Sequence, residues 1–205
     1  MNDNTAFLEK VSELFWENGA KTLTMDEVAK AFSISKKTLY QHYKNKEALL
    51  VEVLMFRLKK LVVMLKAEEQ KHLNPIQRMF LRKSEMETIS KNNKTLFIRQ
   101  LIKYYPNIYN HHLAEVNRAV SEILLSNIEK GRAEGLYRPD FEARIYIKYL
   151  LELMFAYDRS ALFEDEQDIG REAYCQGVVD FYLNAIVTPA GKAIINELKL
   201  KNNNI

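Results

Sequence analysis

The chain has 205 residues, of which 47% are hydrophobic and 28% charged, the proportions of an ordinary folded protein with enough material for a sizeable core. Its net charge of +3 is too small to indicate a nucleic-acid partner by itself. The single cysteine, Cys175, excludes an intrachain disulfide framework and a multi-thiolate metal site. The first ten residues lack the order of a signal peptide, and no apolar run is long enough to cross a bilayer, so we expect a cytoplasmic protein with no membrane partner.

The charges are unevenly distributed along the chain. Residues 71–103 contain eight Lys or Arg against two Asp or Glu, whereas residues 139–187 contain four against ten. Residues 28–46 contain five lysines and no carboxylate at all. Lysines grouped in this way would neutralise phosphates and release counterions, which favours a polyanion as partner, although a solvated basic helix has the same composition.

A first helix is predicted over residues 5–18, because Phe7, Val11 and Leu14 recur at helical spacing and Gly19 follows as a left-handed C-cap. A second begins after Thr24. Thr24 and Glu27 have the spacing of a capping box, in which each side chain bonds to the backbone of the other residue. Leu23 and Val28 complete the pattern as a hydrophobic staple.

A third, short helix is predicted from an N-cap at Ser35 to Tyr43, with Leu39 and Tyr43 on its inward side. Its outward side carries lysines interleaved with short polar and aromatic side chains, which suit hydrogen bonds to phosphates and to base edges in a major groove. The residues predicted to bind DNA are Thr24, Ser35, Lys36, Lys37, Thr38, Tyr40, Gln41, His42 and Lys46, with Thr24 and Lys46 on phosphates.

The run from Gly19 to Leu50 resembles the DNA-binding domain of the TetR (tetracycline-repressor-like) family of bacterial transcriptional regulators. The matching residues are Gly19, Thr24, Val28, Ala29, Ser35, Thr38, Leu39, Tyr40, His42, Tyr43, Lys46, Glu47, Leu49 and Leu50. The chain departs from the family at the turn, which usually carries Ala-Gly and here carries Phe32-Ser33. Because a residue other than glycine resists a positive φ, we expect a slightly different turn geometry.

The rest of the chain is also predicted to be helical. Helices are expected from Lys46 to about residue 71, from Asn74-Pro75 to about 91, from Thr95 up to Pro106, and from there past Ile128. Further helices are expected from an N-cap at Asp140 to about 159, from about 167 to 187, and after Pro189. The fold class is therefore all-α with about nine to ten helices: a helix-turn-helix DNA-binding domain at 1–47 joined by a long helix to a ligand-binding and dimerisation domain at 48–205.

The helices predicted near 140–159 and 167–187 are apolar on almost every side. A helix of this kind must be covered all round, which favours a partner subunit. The family resemblance implies the same, since TetR-like proteins dimerise through a four-helix bundle of their last two long helices. The residues predicted at the dimer interface are Ile147, Leu150, Leu151, Met154, Val178, Val179, Phe181, Tyr182 and Ile186.

The middle of the chain is rich in aromatic and sulfur-containing side chains, which are usually core but together suit an apolar ligand pocket between helices. In TetR-like regulators a small-molecule inducer binds between these helices. The residues predicted to line the pocket are Phe80, Met86, Phe97, Tyr104, Tyr105, Tyr109, Met154 and Phe155. The identity of the inducer is not encoded in any motif.

No catalytic constellation or phosphate-binding glycine loop is present in the sequence, so we expect neither an enzyme nor a cofactor. His111 and His112 with Glu115 form a possible metal pair, but no other ligands follow at fixed spacing, and no metal site is predicted. The sequence thus predicts a homodimeric repressor that binds a palindromic operator and is released by a small molecule. The alternatives are an activator of the same family and an all-helical ligand-binding protein or enzyme with a vestigial helix-turn-helix.

Overall fold

The computed structural model describes residues 4–69, 74–79, 94–163 and 169–202. The helices are α1 (Asn4–Asn18), α2 (Met25–Ala31), α3 (Lys36–His42), α4 (Lys46–Glu69), α5 (described over 75–79), α6 (Lys94–Tyr104), α7 (Pro106–Ala133), α8 (Ala143–Arg159), α9 (Arg171–Ile186) and α10 (Pro189–Asn202). A single 3-10 turn, Ala161–Phe163, and an isolated bridge between Tyr137 and Val187 are the other regular features of the described residues. The predicted all-α fold is confirmed. None of the described helices combines the length and apolarity that a bilayer span requires.

Two of the predicted helix starts are fixed by asparagine side chains. Asn45 Oδ1 accepts a 2.8 Å hydrogen bond from the backbone N–H of Ala48 at the start of α4. Asn74 and Gln77 form a capping box at the start of α5, with distances of 2.9 and 3.1 Å between side chain and backbone. Both starts lie where the sequence predicts them, because a cap is a contact between residues three positions apart.

The predicted start of α8 at Asp140 is wrong. The helix begins at Ala143, and its N-cap is Glu142, whose side chain accepts from Arg144 N at 3.1 Å. The carboxylate of Asp140 is instead paired with Arg138 Nη1 at 3.1 Å. Either acidic residue could cap a helix, and in the structure Glu142 does so while Asp140 is paired within the loop.

The described residues divide into two compact units. The first contains the described residues up to Leu61 together with those from 94 to Val116. Its fully buried side chains come from α1, α3, α4 and α6: Val11, Phe15, Leu39, Leu49, Leu50, Val53, Phe97 and Leu101. This unit therefore reaches beyond the predicted domain boundary after residue 47, since the first part of α4, α6 and the start of α7 share its core.

The second unit contains the described residues of 62–79 and those from Asn117 onward. Its core joins α5, the last part of α7 and α8–α10, with Ile76, Ile128, Ile147, Leu183 and Ile186 at no more than 2% exposure. α8 packs against α9 within this unit. The chain passes from one unit to the other inside α4 and inside α7, and a third passage, after residue 90, lies outside the described residues.

Candidate nucleic-acid interface

Helix α3 is anchored by one side and exposed on the other. Leu39 is completely buried among the apolar residues of the first unit, and Tyr43, which follows the helix, is 5% exposed. The side chains of α3 that face solvent are the predicted DNA contacts Lys36, Lys37, Tyr40, Gln41 and His42, while Thr38 is half-buried. One buried leucine thus holds a seven-residue helix whose polar face is free to meet another molecule.

Ser35 caps α3 as predicted. Its Oγ accepts from the backbone N–H of Thr38 at 3.0 Å and lies 2.7 Å from the Thr38 hydroxyl. These two hydroxyls are bonded to each other, so their first role is to fix the start of the helix. Their predicted contacts with DNA stay predictions.

The turn between α2 and α3 contains a left-handed residue other than glycine. Ser33 has a φ of 53°, so a residue other than glycine adopts a left-handed conformation at this turn. The backbone N–H groups of Ile34 and Ser33 donate to the carbonyls of Ala29 and Lys30, both at 3.1 Å. This is the bonding pattern of a Schellman motif, which ends α2 sharply and allows α3 to begin at Lys36.

The capping box at the start of α2 is confirmed. Thr24 N donates to Glu27 Oε2 at 2.7 Å, and Glu27 N donates to Thr24 Oγ1 at 3.2 Å. The Thr24 hydroxyl also donates to Glu27 Oε2 at 2.8 Å. The hydrogen bonds from the Thr24 backbone and hydroxyl lower the pKa of Glu27, because they stabilise the carboxylate. The backbone N–H and the hydroxyl of Thr24 are therefore both hydrogen-bonded within the cap. The predicted contact of Thr24 with a phosphate stays a prediction.

Lys36 has a partner that the sequence analysis missed. Its Nζ lies 2.7 Å from Asp26 Oδ1, and the hydrogen bond to this carboxylate raises the pKa of Lys36. Asp26 lies ten residues earlier on α2, so no local spacing rule indicates the pair. Both side chains are about 60% exposed, at 59% and 63%, and an ion pair in water contributes little, so a DNA phosphate can replace the carboxylate.

Lys46 is hydrogen-bonded to the loop between α1 and α2. Its Nζ donates to the backbone carbonyl of Lys21 at 2.8 Å and lies 5.9 Å from the centroid of the Tyr105 ring. Burial, followed by the neighbouring charge of Lys21, lowers the pKa of Lys46. The predicted phosphate ligand is thus tied to the loop between α1 and α2, and its contact with DNA stays a prediction.

Gln100 on α6 bonds to the same loop from the other side. Its Oε1 accepts from the backbone N–H of Lys21 at 2.6 Å, and its Nε2 donates to the Thr22 hydroxyl at 3.2 Å. Gly19 has the predicted left-handed conformation, with a φ of 86°, and a Cβ there would lie only 2.5 Å from Gln100 Oε1. The Gln100 contact spans 79 residues of sequence, and no sequence signal could have found it.

The predicted pocket residues are divided between the two units. Phe97 is fully buried in the first unit, where its ring stacks on Trp16 at 4.3 Å between centroids, and Tyr109 is 6% exposed in the same core. Tyr105 packs against this core and Tyr104 is 45% exposed. Met154 and Phe155 pack against the core of the second unit, and the predictions for Phe80 and Met86 lie outside the described residues. Four of the described residues of this set therefore lie in the first unit and two in the second, and their role in a pocket stays a prediction.

Most of the predicted dimer-interface residues are buried inside the subunit. Ile147, Leu150, Leu151, Val178, Val179, Tyr182 and Ile186 are at most 8% exposed, because α8 and α9 cover each other with them. Met154 is half-buried, and Phe181 is 67% exposed. The large apolar side chains that α8 leaves in solvent are Ile145, Tyr149 and Leu153, one turn apart on one side of the helix. Of the nine predicted residues only Phe181 is exposed, since a helix apolar all round has no polar face that orients it, and the interface itself stays a prediction.

The described residues do not bring three or more His, Cys, Asp or Glu side chains together in an arrangement that suits a metal ion. His112 is largely buried, and this burial lowers its pKa to about 4, so its imidazole is neutral at neutral pH. The remaining candidate site is the exposed face of α3.

That face has the properties of a DNA-reading surface. Lys30, Lys37 and Lys44 are exposed cations around it, and Gln41 and His42 present hydrogen-bonding groups of the kind that read base edges. The preceding helix α2 and the sharp turn at Ser33 give the arrangement of a helix-turn-helix, whose second helix enters a major groove. The fold and this surface define a helix-turn-helix DNA-binding protein.

Comparisons with known proteins agree. Residues 7–53 match the family model described as bacterial regulatory proteins, tetR family. An uncharacterised HTH-type transcriptional regulator of Bacillus subtilis strain 168, YhgD, is 27% identical over 170 residues, which cover 74% of this chain and 82% of that protein. The chain is a DNA-binding transcriptional regulator, and its residues 7–53 match the TetR family.

Two solved structures show that the likeness in fold extends along the chain. The reduced form of NemR from Escherichia coli has a TM-score of 0.71 at 17% identity, with 92% of this chain and 100% of that one covered. FadR from Bacillus subtilis, solved in complex with stearoyl-CoA, has a TM-score of 0.63 at 16% identity, with 88% and 98% covered. At these identities the likeness concerns the fold alone.

Proposed function

We propose that the protein is a homodimeric repressor that binds a palindromic operator in the cytoplasm and leaves it when a small molecule binds. Each subunit places α3 in a major groove, with the two half-sites about one helical turn apart. The observation that carries this proposal is the face of α3, where Lys37, Gln41 and His42 are exposed while Leu39 is completely buried. A helix held by its apolar side with its polar side free is what groove reading requires.

The dimer is supported by the apolar surface of α8 and α9. Tyr149 is 56% exposed and Phe181 67% exposed, and both lie on helices that bury other apolar residues within the subunit. On α9, Phe181 is flanked at one-turn spacing by Gly177 and Ala185, so another helix can approach closely there. Apolar stripes that are exposed on one subunit are usually covered by a partner in the assembly. A second copy of the chain is the partner that a palindromic operator implies.

Release by a ligand is supported by the continuity of the helices. α4 runs without a break from the unit that carries α3 into the second unit, and α7 does the same. A ligand that binds better to one arrangement of the second unit shifts the population of the whole molecule toward that arrangement. FadR, which shares the fold, was solved with stearoyl-CoA bound, and we propose a small-molecule effector for this chain by analogy. We propose no enzymatic step.

The DNA assignment is tested on duplexes obtained by selection from a randomised pool. We expect an inverted repeat to be enriched, and we expect the double substitution Lys36→Ala, Lys37→Ala to weaken binding. The slope of log affinity against log salt should fall by about two units per subunit, because each lysine neutralises about one phosphate. The double substitution Lys66→Ala, Lys130→Ala removes the same charge from exposed positions on α4 and α7 and should leave the slope unchanged. Equal slopes for the wild type and the α3 variant would refute the assignment.

A further inference from the structure

Arg78 is a charged residue in the core of the second unit. It lies on α5 next to Met79, which is 4% exposed, and two positions from Ile76, which is completely buried. Arg78 itself is 7% exposed. A guanidinium stays charged in a protein under all ordinary conditions, so this position holds a buried positive charge.

The guanidinium lacks a partner within the part of the chain that the structure describes. Its Nε and Nη1 atoms are fully shielded from solvent and donate no hydrogen bond. An isolated buried charge is among the most costly groups in a folded protein, and such charges are nearly always paired. A bound anion next to the Arg78 guanidinium would therefore remove the cost of this unpaired charge.

Another largely shielded arginine of this unit, Arg171, shows what kind of partner Arg78 lacks. Arg171 on α9 has a side chain that is 22% exposed, and it donates through Nε and Nη2 to Asp158, with distances of 2.8–3.1 Å. Asp158 is 2% exposed, so this pair satisfies itself inside the protein. Arg78 is buried more deeply than Arg171 and has no such carboxylate.

A second polar group without a partner belongs to the same core. Asn127 on α7 is 2% exposed, and its Nδ2 donates to the Pro75 carbonyl and to the Tyr137 hydroxyl, both at 3.2 Å. Its Oδ1 is buried and accepts nothing. Pro75 and Arg78 are three residues apart on α5, which places them on one side of that helix. Asn127 therefore contacts the first turn of the helix that carries Arg78, and the core around α5 offers unfilled donors together with an unfilled acceptor.

We propose that Arg78 binds the carboxylate or phosphate head of an organic anion with an apolar body, and that this anion is the effector. The guanidinium of Arg78 supplies the positive charge and the N–H donors that such a head accepts. The apolar body would lie against the half-buried hydrophobic side chains that pack on this core, which include Val120 and Leu125. The effector role rests on the proposed function, whereas the anion site does not.

The site is tested by thermal unfolding of the full chain with three probes that share one apolar body: octanoate, octyl phosphate and octanol. We expect either or both of the anions to raise the unfolding temperature by roughly 5–10 °C at a hundredfold excess over Kd, and octanol to bind at least about tenfold more weakly. In Arg78→Met the response to the anions should disappear. Arg144→Met, which removes an arginine paired with Glu122 on the surface of the same unit, should respond as the wild type does.

The unliganded Arg78→Met protein separates a binding role from a structural one. Replacing an unpaired buried charge with an apolar side chain of similar length should leave the unfolding temperature unchanged or raise it, whereas the loss of a structural contact would lower it. A lowered temperature, a response equal in wild type and variant, or no response to either anion would overturn the site. None of these results bears on DNA binding, which the salt titration measures separately.

The effector role is tested on the wild-type complex with its selected duplex. Release by the anion that stabilises the protein, but not by octanol at the same concentration, supports it. A complex that persists when that anion is saturating would overturn the effector role while leaving the anion site in place.

Discussion

The first and second units differ in which groups they leave without a partner. In the first, the loop before α2 is bonded by Gln100 and Lys46, and the helix starts are closed by the caps at Thr24 and Ser35. The buried groups without a partner there include the neutral Ser12 hydroxyl and Trp16 indole. In the second unit, the charged Arg78 is buried without a partner among the described residues, and the apolar stripe through Tyr149 is exposed.

This difference indicates what each unit meets. DNA is a hydrated polyanion, and a surface that reads it needs exposed charges and polar groups on a backbone held in one geometry. A helix partner or an organic anion is instead recognised by what is missing from the protein itself, an apolar cover or a counter-charge. The first unit forms its DNA-reading surface without a partner. The second unit has a buried charge and an exposed apolar stripe that a partner would have to cover.

The largest expected effect is on the exposed stripes of the second unit. The double substitution Tyr149→Glu, Phe181→Glu should weaken the dimer by about 3 kcal/mol or more, roughly a hundredfold, because it places carboxylates in an apolar contact. Light scattering across a concentration series measures the change. Val63→Glu, at a side chain that is 68% exposed on α4, is the matched control. A dimer that persists in the double variant would mean that these stripes are not the interface. Leu150 is unsuitable for this test, because at 4% exposure its substitution reports on folding.

The next effect concerns the buried His112 of the first unit. Its pKa is lowered from 6.5 to about 4, so below pH 6.5 the unfolded chain binds a proton that the folded one does not. Stability should therefore be fully present near pH 7 and should fall as the pH drops from 6.5 toward 4, by about 2 kcal/mol at pH 5 from this residue. Urea unfolding at pH 7 and pH 5 measures the loss, which should shrink in His112→Gln and persist in His111→Gln, an exposed neighbour. An equal loss in wild type and His112→Gln would assign the pH dependence to other groups.

A smaller effect is expected at Gln100. Gln100→Ala removes the acceptor for Lys21 N and should lower the free energy of unfolding by about 1 kcal/mol, because the freed loop groups are exposed and find water. Gln100→Glu keeps an acceptor oxygen and should lose less. If both variants match the wild type in chemical denaturation, the loop does not depend on α6 for its stability.

The smallest effect is expected at Ser33. Ser33→Gly should raise the free energy of unfolding by about 0.5 kcal/mol, since glycine adopts a φ of 53° without strain but gains more entropy when the chain unfolds. Ser33→Ala keeps the strain and should not raise it. A glycine variant no more stable than the alanine variant would show that the positive φ is not a source of strain at this turn.

Contacts between residues close in sequence were predictable. The capping box at Thr24, the N-cap at Asn74 and the C-cap at Gly19 all depend on neighbours within a few positions, and each is confirmed. Choices between two similar neighbours were less secure, as the start of α8 at Glu142 rather than Asp140 shows.

The sequence by itself determined the helices, most of the predicted caps and the polar outward face of α3, because all of these follow from helical periodicity and from short-range hydrogen bonds. Only the tertiary structure decided that Phe97 belongs to the core around α1, that Asp26 pairs with Lys36, and that Tyr149 rather than Leu150 faces solvent. It also decided that Arg78 lies buried with no counter-charge among the described residues. The reason is the same in each case: the deciding neighbours lie on other helices, and the pattern of one helix does not specify which of its sides those helices cover.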